Sequence, residues 1–267
     1  MTLKFTILGC GTSGGVPRIG GDWGNCDPTN PKNRRLRCSM LIERIGSEGT
    51  TSILVDTSPD ARQQLLEAGV SRLDAVLYTH DHADHTHGID DLRVVAMNSR
   101  SRVDVYCDDH TSGILETRFA YCFQTLPGSS YKPILNKQVI KPGEPFEIEG
   151  KGGAVKVMPY HQHHGEIMSV GYRIGDIAYS CDINALPDDA YQYLEGLDVW
   201  IVDALRLTPH PSHFSLEETL EAIERIKPKR AILTHMHTDL DYGSLIRDLP
   251  EGVVPAYDGM VLETESS

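Results

Sequence analysis

Residues 78–88 read YTHDHADHTHG, with four histidines and two aspartates in eleven positions, directly after an apolar run. His80 and His82 are one residue apart, so in an extended segment leaving a strand their side chains project to the same side and can grip one ion. Asp84 and His85 follow where the chain is expected to turn into a helix. Adjacent residues there point elsewhere, toward a second ion. A one-metal catalytic site needs about three protein ligands and a water, whereas this chain offers at least seven candidates. The pattern therefore predicts two ions about 3.5–4 Å apart, a spacing that suits hydrolysis.

The same arrangement recurs along the chain. Eleven of the twelve histidines fall in four clusters, His110 standing alone. DAVLYT precedes His80, AVKVMPY precedes His161, His163 and His164, and RAILT precedes His235 and His237; DIAYSC ends at Asp182, and VWIVDALR precedes His210 and His213. Each run reads as a buried strand. In layered α/β proteins the strand ends form one rim where ligands converge, so these units imply one shared site. Between them lie helix signals. PDARQQLLEAG closes on a C-cap glycine, and SLEETLEAIERIKP opens with Ser215 and Glu218 as a capping box, with Leu216, Leu220, Ile223 and Ile226 on one face. The fold class is α/β, with helices covering sheets. YTHDHAD and LTHMHTD both read Thr-His-x-His-x-Asp after a strand, as a duplicated half-fold would.

At 267 residues and 40% hydrophobic, the chain is read as one domain over 1–267. KPGEPFEIEGKGG has linker composition, but strand patterns resume on both sides, so a hairpin is expected there. The net charge of −13 repels polyanions at long range, and NPKNRRLR is the one basic block. Extended nucleic acid is thus disfavoured as a partner. Six cysteines without CxxC spacing and a strand-like start, KFTIL, suggest free thiols and a cytoplasmic location. No apolar run reaches the roughly 20 residues of a membrane span. GCGTSGG matches a dinucleotide fingerprint, yet VPRIGGDWG after it cannot open a helix; a tight loop near a bound phosphate fits better. Asp56, ending SILVD, is placed to orient a ligand histidine. Arg34, Arg35 and Arg37 offer guanidinium forks suited to phosphate.

The spacing His80-x-His82-x-Asp84-His85 resembles the metallo-β-lactamase fold family, whose hallmark is HxHxDH. HGEIMSVGYRI, AYSCD and LTHMH follow in the family's order, so the resemblance covers most of the chain. It implies a four-layer αββα sandwich of two mixed sheets with helices outside. It also implies that His80, His82 and His164 hold one metal, that Asp84, His85 and His235 hold the other, and that Asp182 bridges them. LGCGTSGGVPR, NRRLRCS, HGEIMSVGY and PHPSHFSLEETL are similar to the phosphodiesterase branch that opens phosphoribosyl 1,2-cyclic phosphate. That likeness implies a small cyclic or nucleotide-like phosphodiester as substrate, manganese or zinc as the metal pair, and a homodimer. It gives His213 the substrate phosphate, with His210 as the alternative. Asp84 and His213 are then the catalytic candidates, and His213 and Arg37 the substrate-binding ones.

One departure stands out. The branch carries several closely spaced cysteines in its N-terminal loop for a structural zinc, whereas GGDWGNCDPTNPKNRR has only Cys26, and no such site is expected here. Rival functions are a ribonuclease of the tRNA 3′-processing type, for which no tRNA-gripping arm is evident, a thioester or lactone hydrolase, and a non-catalytic metal-dependent binding protein.

Overall fold

The computed structural model describes residues 2–265. The first half of the chain runs β1 (Thr2–Gly9), β2 (Ser39–Gly46), β3 (Gly49–Val55), α1 (Ala61–Glu67), β4 (Ala75–Leu77), α2 (Ala83–Thr86), α3 (Leu92–Ser99), β5 (Val103–Cys107), α4 (Asp109–Arg118), α5 (Ala120–Phe123) and β6 (Leu135–Val139). The second half runs β7 (Phe146–Ile148), β8 (Val155–His164), β9 (Ile167–Ile174), β10 (Ile177–Ser180), β11 (Val199–Asp203), α6 (Leu216–Ile226), β12 (Arg230–Thr234), α7 (Tyr242–Asp248) and β13 (Val253–Pro255). A last strand, β14 (Met260–Glu265), returns to pair with β1.

These strands form two seven-stranded sheets, ordered β14-β1-β2-β3-β4-β5-β6 and β13-β12-β11-β10-β9-β8-β7. Both are mixed in the same way. In the first, β1, β2 and β3 are antiparallel and β3 to β6 parallel; in the second, β7 to β10 are antiparallel and β10 to β13 parallel. By this repeated order β3 matches β10, β4 matches β11 and β5 matches β12, so the Thr-His echo after β4 and β12 falls on strands that do not correspond.

Alternate side chains of a strand face opposite ways, and the first sheet uses both faces. Met40, Ile42, Ile53 and Val55 point inward to meet Tyr160, Tyr172 and Trp200 of the second sheet. Their neighbours Leu41, Leu54 and Val76 point outward under Leu65 of α1, Leu92 and Val95 of α3 and Leu115 of α4. Burial of each such aliphatic chain contributes about 1.5–3 kcal/mol. On the far side, α6 lays Leu216, Leu220, Ile223 and Ile226 against the second sheet. Its start is fixed by the capping box of Ser215 and Glu218. The layers are therefore helix, sheet, sheet, helix, as expected. KPGEPFEIEGKGG forms the turn into β7 and the hairpin that pairs β7 with β8.

Candidate metal centre

The ends of β3, β4, β8, β10, β11 and β12 meet along one rim, and each is followed or closed by a polar residue: Asp56, His80, His164, Asp182, Asp203 and His235. Three of these take left-handed backbone angles, with φ of 60° at Asp56, 55° at Asp182 and 57° at His235. A non-glycine residue there carries strain of about 1 kcal/mol or more, which persists where the surroundings over-determine it. Here the twist turns each side chain from the strand direction into the rim.

The HDHADH segment works locally as its spacing predicts. His80 leaves the extended chain, His82 caps α2 with φ −62° and ψ 152°, and Asp84 and His85 lie in the helical turn that follows. His80, His82, His164 and Asp182 present ligand atoms within 4.8 Å of one another, as do His85, Cys181, Asp182 and His235. Asp182 belongs to both groups through different oxygens. Its Oδ2 lies 3.7 Å from His80 Nε2 and 3.5 Å from His164 Nε2, and its Oδ1 lies 3.1 Å from His85 Nε2 and 3.3 Å from His235 Nε2. Asp84 Oδ2 closes the second group at 3.4 Å from His85 Nε2 and 3.6 Å from His235 Nε2. All seven residues named as ligands from the sequence are thus brought together, and His164 and His235 are the members of their clusters that reach the centre. His237 turns away to Asp239, while His161 and His163 are exposed.

Hydrogen bonds behind the ring fix which nitrogen each histidine offers. His85 Nδ1–H donates to Asp56 Oδ2 at 2.7 Å, and His164 Nδ1–H to the Ser212 carbonyl at 2.6 Å. Thr79 donates through Oγ1 to Asp56 at 2.8 Å, so the same oxygen accepts from His80 Nδ1 at 3.0 Å. In each ring Nε2 is left with its lone pair toward the centre. Gly165 makes the His164 arrangement possible. Its φ is 62°, and a Cβ there would sit 2.9 Å from the Ser212 side chain, so a side chain would push away the segment that holds His164.

These residues fit a metal. Nε2 of His80, His85 and His235 is buried without a hydrogen-bond partner, and a buried orphan of this kind costs about 1–3 kcal/mol each. His82 Nδ1 and His164 Nε2 face each other at 3.2 Å, an arrangement that favours a cation between them. The carboxylates also draw positive charge. Burial disfavours charge on His85, yet Asp182, Asp84 and Asp56 together raise it well above the ordinary histidine value. Burial likewise opposes charging of His235, but Asp182 and its neighbours push it up to about 10. In return Asp182 is held well below the usual carboxylate range by His235, His85 and His213, against its burial. In the other group burial, reinforced by nearby rings, keeps His80 and His164 low, as neutral nitrogen ligands require.

His213 lies at the edge of the same centre, its Nε2 3.8 Å from Asp182 Oδ2 and its ring stacked on His235 with centroids 4.7 Å apart. Nδ1–H donates to Asp203 Oδ2 at 2.6 Å, so Nε2 faces the site. His210 lies outside this contact, its ring 5.2 Å from that of His213. Asp203 is the residue that sequence reasoning missed. It is fully buried, and its Oδ1 lies 3.8 Å from His235 Nδ1. Its signal was available, because Asp203 ends its strand as Asp56 and Asp182 follow theirs. Cys181 is buried at the back of the site, its Sγ 3.0 Å from Asp182 Oδ1. Arg37 is gripped by Asp60 through Nε at 2.6 Å and Nη2 at 2.7 Å. Cys26 is buried and accepts from Arg35 Nη1 at 3.8 Å. No helix of the described residues is long and apolar enough to cross a membrane.

Comparison with known proteins places this geometry. The β-lactamase superfamily domain matches residues 51–236, which contain all seven rim ligands. A crystal structure of a diphosphatase from the PhnP family superposes with a TM-score of 0.88 at 37% identity, over 99% of this chain and 98% of that one. An octanoyltransferase of Porphyromonas gingivalis is 32% identical over 97% of this chain and 51% of its own length. A ribonuclease Z of Methanopyrus kandleri is 29% identical over 54% of this chain and 46% of its own. The chain thus spans about half the length of these two curated relatives. With the matched domain, the shared sheets and the ligand rim together, the chain belongs to the β-lactamase superfamily of metallohydrolase folds, on the side of the PhnP family.

Proposed function

We propose that the protein is a binuclear metal-dependent phosphodiesterase acting on a small phosphorylated substrate, such as a cyclic ribose phosphate or a nucleotide-like diester. The observation that carries this reading is Asp182, whose two oxygens each face a separate set of imidazole nitrogens. His80, His82 and His164 would hold one divalent ion, and Asp84, His85 and His235 the other, with Asp182 shared. Mixed imidazole and carboxylate donors suit manganese or zinc. When bound, such a pair supplies Lewis acidity toward phosphoryl oxygens. The chain's own part is to position and to move protons. Asp56 and the Ser212 carbonyl lock ligand rings, and Asp84 offers a carboxylate oxygen to an attacking water. His213, pinned through Nδ1 by Asp203, would hold a proton at Nε2 for the phosphoryl or leaving oxygen.

Two of the relatives, a diphosphatase and a ribonuclease, are named for cleavage at phosphorus, which supports this class. The octanoyltransferase supports a second reading, acyl or thioester chemistry, but about half of that protein has no counterpart here. The acidity of this chain, −13 overall, favours a compact substrate over RNA. The test is turnover by metal-stripped protein reloaded with manganese or zinc, using bis(4-nitrophenyl) phosphate, a phosphomonoester and an acyl thioester. Metal-dependent cleavage of the diester supports the proposal, and cleavage of the thioester alone sinks it.

A further inference from the structure

HDHADH carries two aspartates, and only Asp84 joins the ligand groups. Asp81, between His80 and His82, is buried and pairs with the helix layer instead. A carboxylate removed from water needs a partner of opposite charge, and α4 supplies it. Arg118 Nη1 lies 3.0 Å from Asp81 Oδ2 and donates to the Asp81 carbonyl at 2.5 Å, so one nitrogen holds both the side chain and the backbone of this residue. His110 Nε2, in the first turn of α4, lies 3.9 Å from Asp81 Oδ1. The helix itself is anchored elsewhere. Asp108 caps its start by accepting from the Thr111 N–H at 2.8 Å, Leu115 is buried in the outer core, and Glu116 pairs with Lys137 of β6 at 2.8 Å.

The grip on the backbone matters because of His82. Behind the rings of His80, His85 and His164 stand Thr79, Asp56 and the Ser212 carbonyl. His82 is exposed, and among the described residues its ring has no hydrogen bond beyond the 3.2 Å approach of Nδ1 to His164 Nε2, itself a ligand. Its imidazole is therefore aimed by its backbone. That backbone is held at two points, with Thr86 Oγ1 donating to the His82 carbonyl at 2.9 Å and Arg118 to the carbonyl just before it.

We propose that Arg118 is a positioning residue for His82, and that α4 acts through it to set the affinity of the ion held by His80, His82 and His164 while leaving the ion at Asp84, His85 and His235 unaffected. The inference rests on the two-ion reading above and adds to it a residue from outside the rim.

The experiment titrates metal-stripped protein with manganese against a chelator, and follows amide hydrogen exchange over residues 82–86 in the same metal-stripped samples, for the wild type, Arg118→Ala, Arg118→Lys and Glu116→Ala. Glu116→Ala breaks the pairing of α4 with Lys137 and reports any general loosening of the helix. In Arg118→Ala one ion is expected to bind as in the wild type and the other about tenfold or more weakly. Exchange of the His85 amide, which donates to the His82 carbonyl at 3.1 Å, should quicken by about tenfold. Arg118→Lys recovers part of both effects, keeping the charge without the reach of the guanidinium, and Glu116→Ala shows neither. Affinities of both ions within about twofold of wild type in Arg118→Ala, equal weakening of the two ions, or the same effects in Glu116→Ala, would overturn the proposal. If the wild type binds only one ion, the two-ion reading is what fails. Exchange in the metal-stripped protein then decides the role of Arg118: quickening in Arg118→Ala but not in Glu116→Ala supports it, and unchanged exchange overturns it.

Discussion

Replacing Asp203 by alanine tests the part of the site that lies behind the reacting groups. Asp203 Oδ2 accepts from His213 Nδ1 at 2.6 Å and from the backbone N–H of Ile183 at 3.2 Å, in a fully buried position. The bond to His213 is short and charge-assisted, a type worth about 1.5–3 kcal/mol. If that energy is felt only when His213 acts, its loss lowers kcat by roughly tenfold to a hundredfold. His235 loses its nearest carboxylate on the Nδ1 side, 3.8 Å away, so metal affinity should weaken by less than the 10–100-fold typical of a directly bonded partner. The assay is kcat on bis(4-nitrophenyl) phosphate at saturating manganese, with far-ultraviolet circular dichroism to confirm folding, in Asp203→Ala, His213→Ala and the double variant. Because both substitutions remove one unit, the double variant should be no slower than His213→Ala within about threefold. Activity of Asp203→Ala within twofold of wild type, or losses that multiply in the double variant, would refute the reasoning.

Three further outcomes are expected. Asp182→Ala removes the carboxylate shared by both ligand groups and should abolish diester turnover while dropping bound metal below two ions per chain by elemental analysis; retained activity would mean that the two groups do not act together. Asp56→Ala leaves His85 Nδ1 and Thr79 unpaired in a buried setting and should weaken metal binding by about 10–100-fold in a chelator competition, with unchanged affinity counting against it. The third concerns Asp258, which accepts from the backbone N–H groups of Cys10 and Leu36 and whose burial pushes it up to about 7. Its folded value lies above the unfolded one, so its stabilisation is complete below about pH 4 and is lost as pH rises through 7. That loss is on the order of 4 kcal/mol over the whole window. Urea unfolding should therefore show the wild type losing stability relative to Asp258→Asn between pH 5 and pH 8, and a difference flat in pH would contradict it.

The strands that carry ligands were legible because buried parallel strands are apolar on both faces, so the apolar cores of RAILT and VWIVDALR stand out. Position directly past the strand end then favoured His235 over His237, whereas His164 was separated from His161 and His163 only by the family resemblance carried by HGEIMSVGY. The glycine loop was read as non-helical from Pro17 and the glycines that follow it. What stayed hidden depends on contacts distant in sequence. Nothing around Asp203 shows that it lies under both His213 and His235, because that meeting requires β11, β12 and the 206–214 loop to be assembled first. The grip of Asp60 on Arg37 and the return of β14 to β1 are invisible for the same reason. The left-handed turns at Asp56, Asp182 and His235 also run against local preference and are imposed by the assembled rim.

The central claim is that two ions, shared through Asp182, make this chain a phosphodiesterase. The most direct measurement is a titration of metal-stripped protein with manganese, following hydrolysis of bis(4-nitrophenyl) phosphate and bound metal in the same samples. The account predicts that turnover rises with occupancy and levels off at two ions per chain in the wild type, with no such rise in Asp182→Ala. Full turnover at one ion per chain, or two bound ions with no diester cleavage while an acyl thioester is hydrolysed, would contradict it.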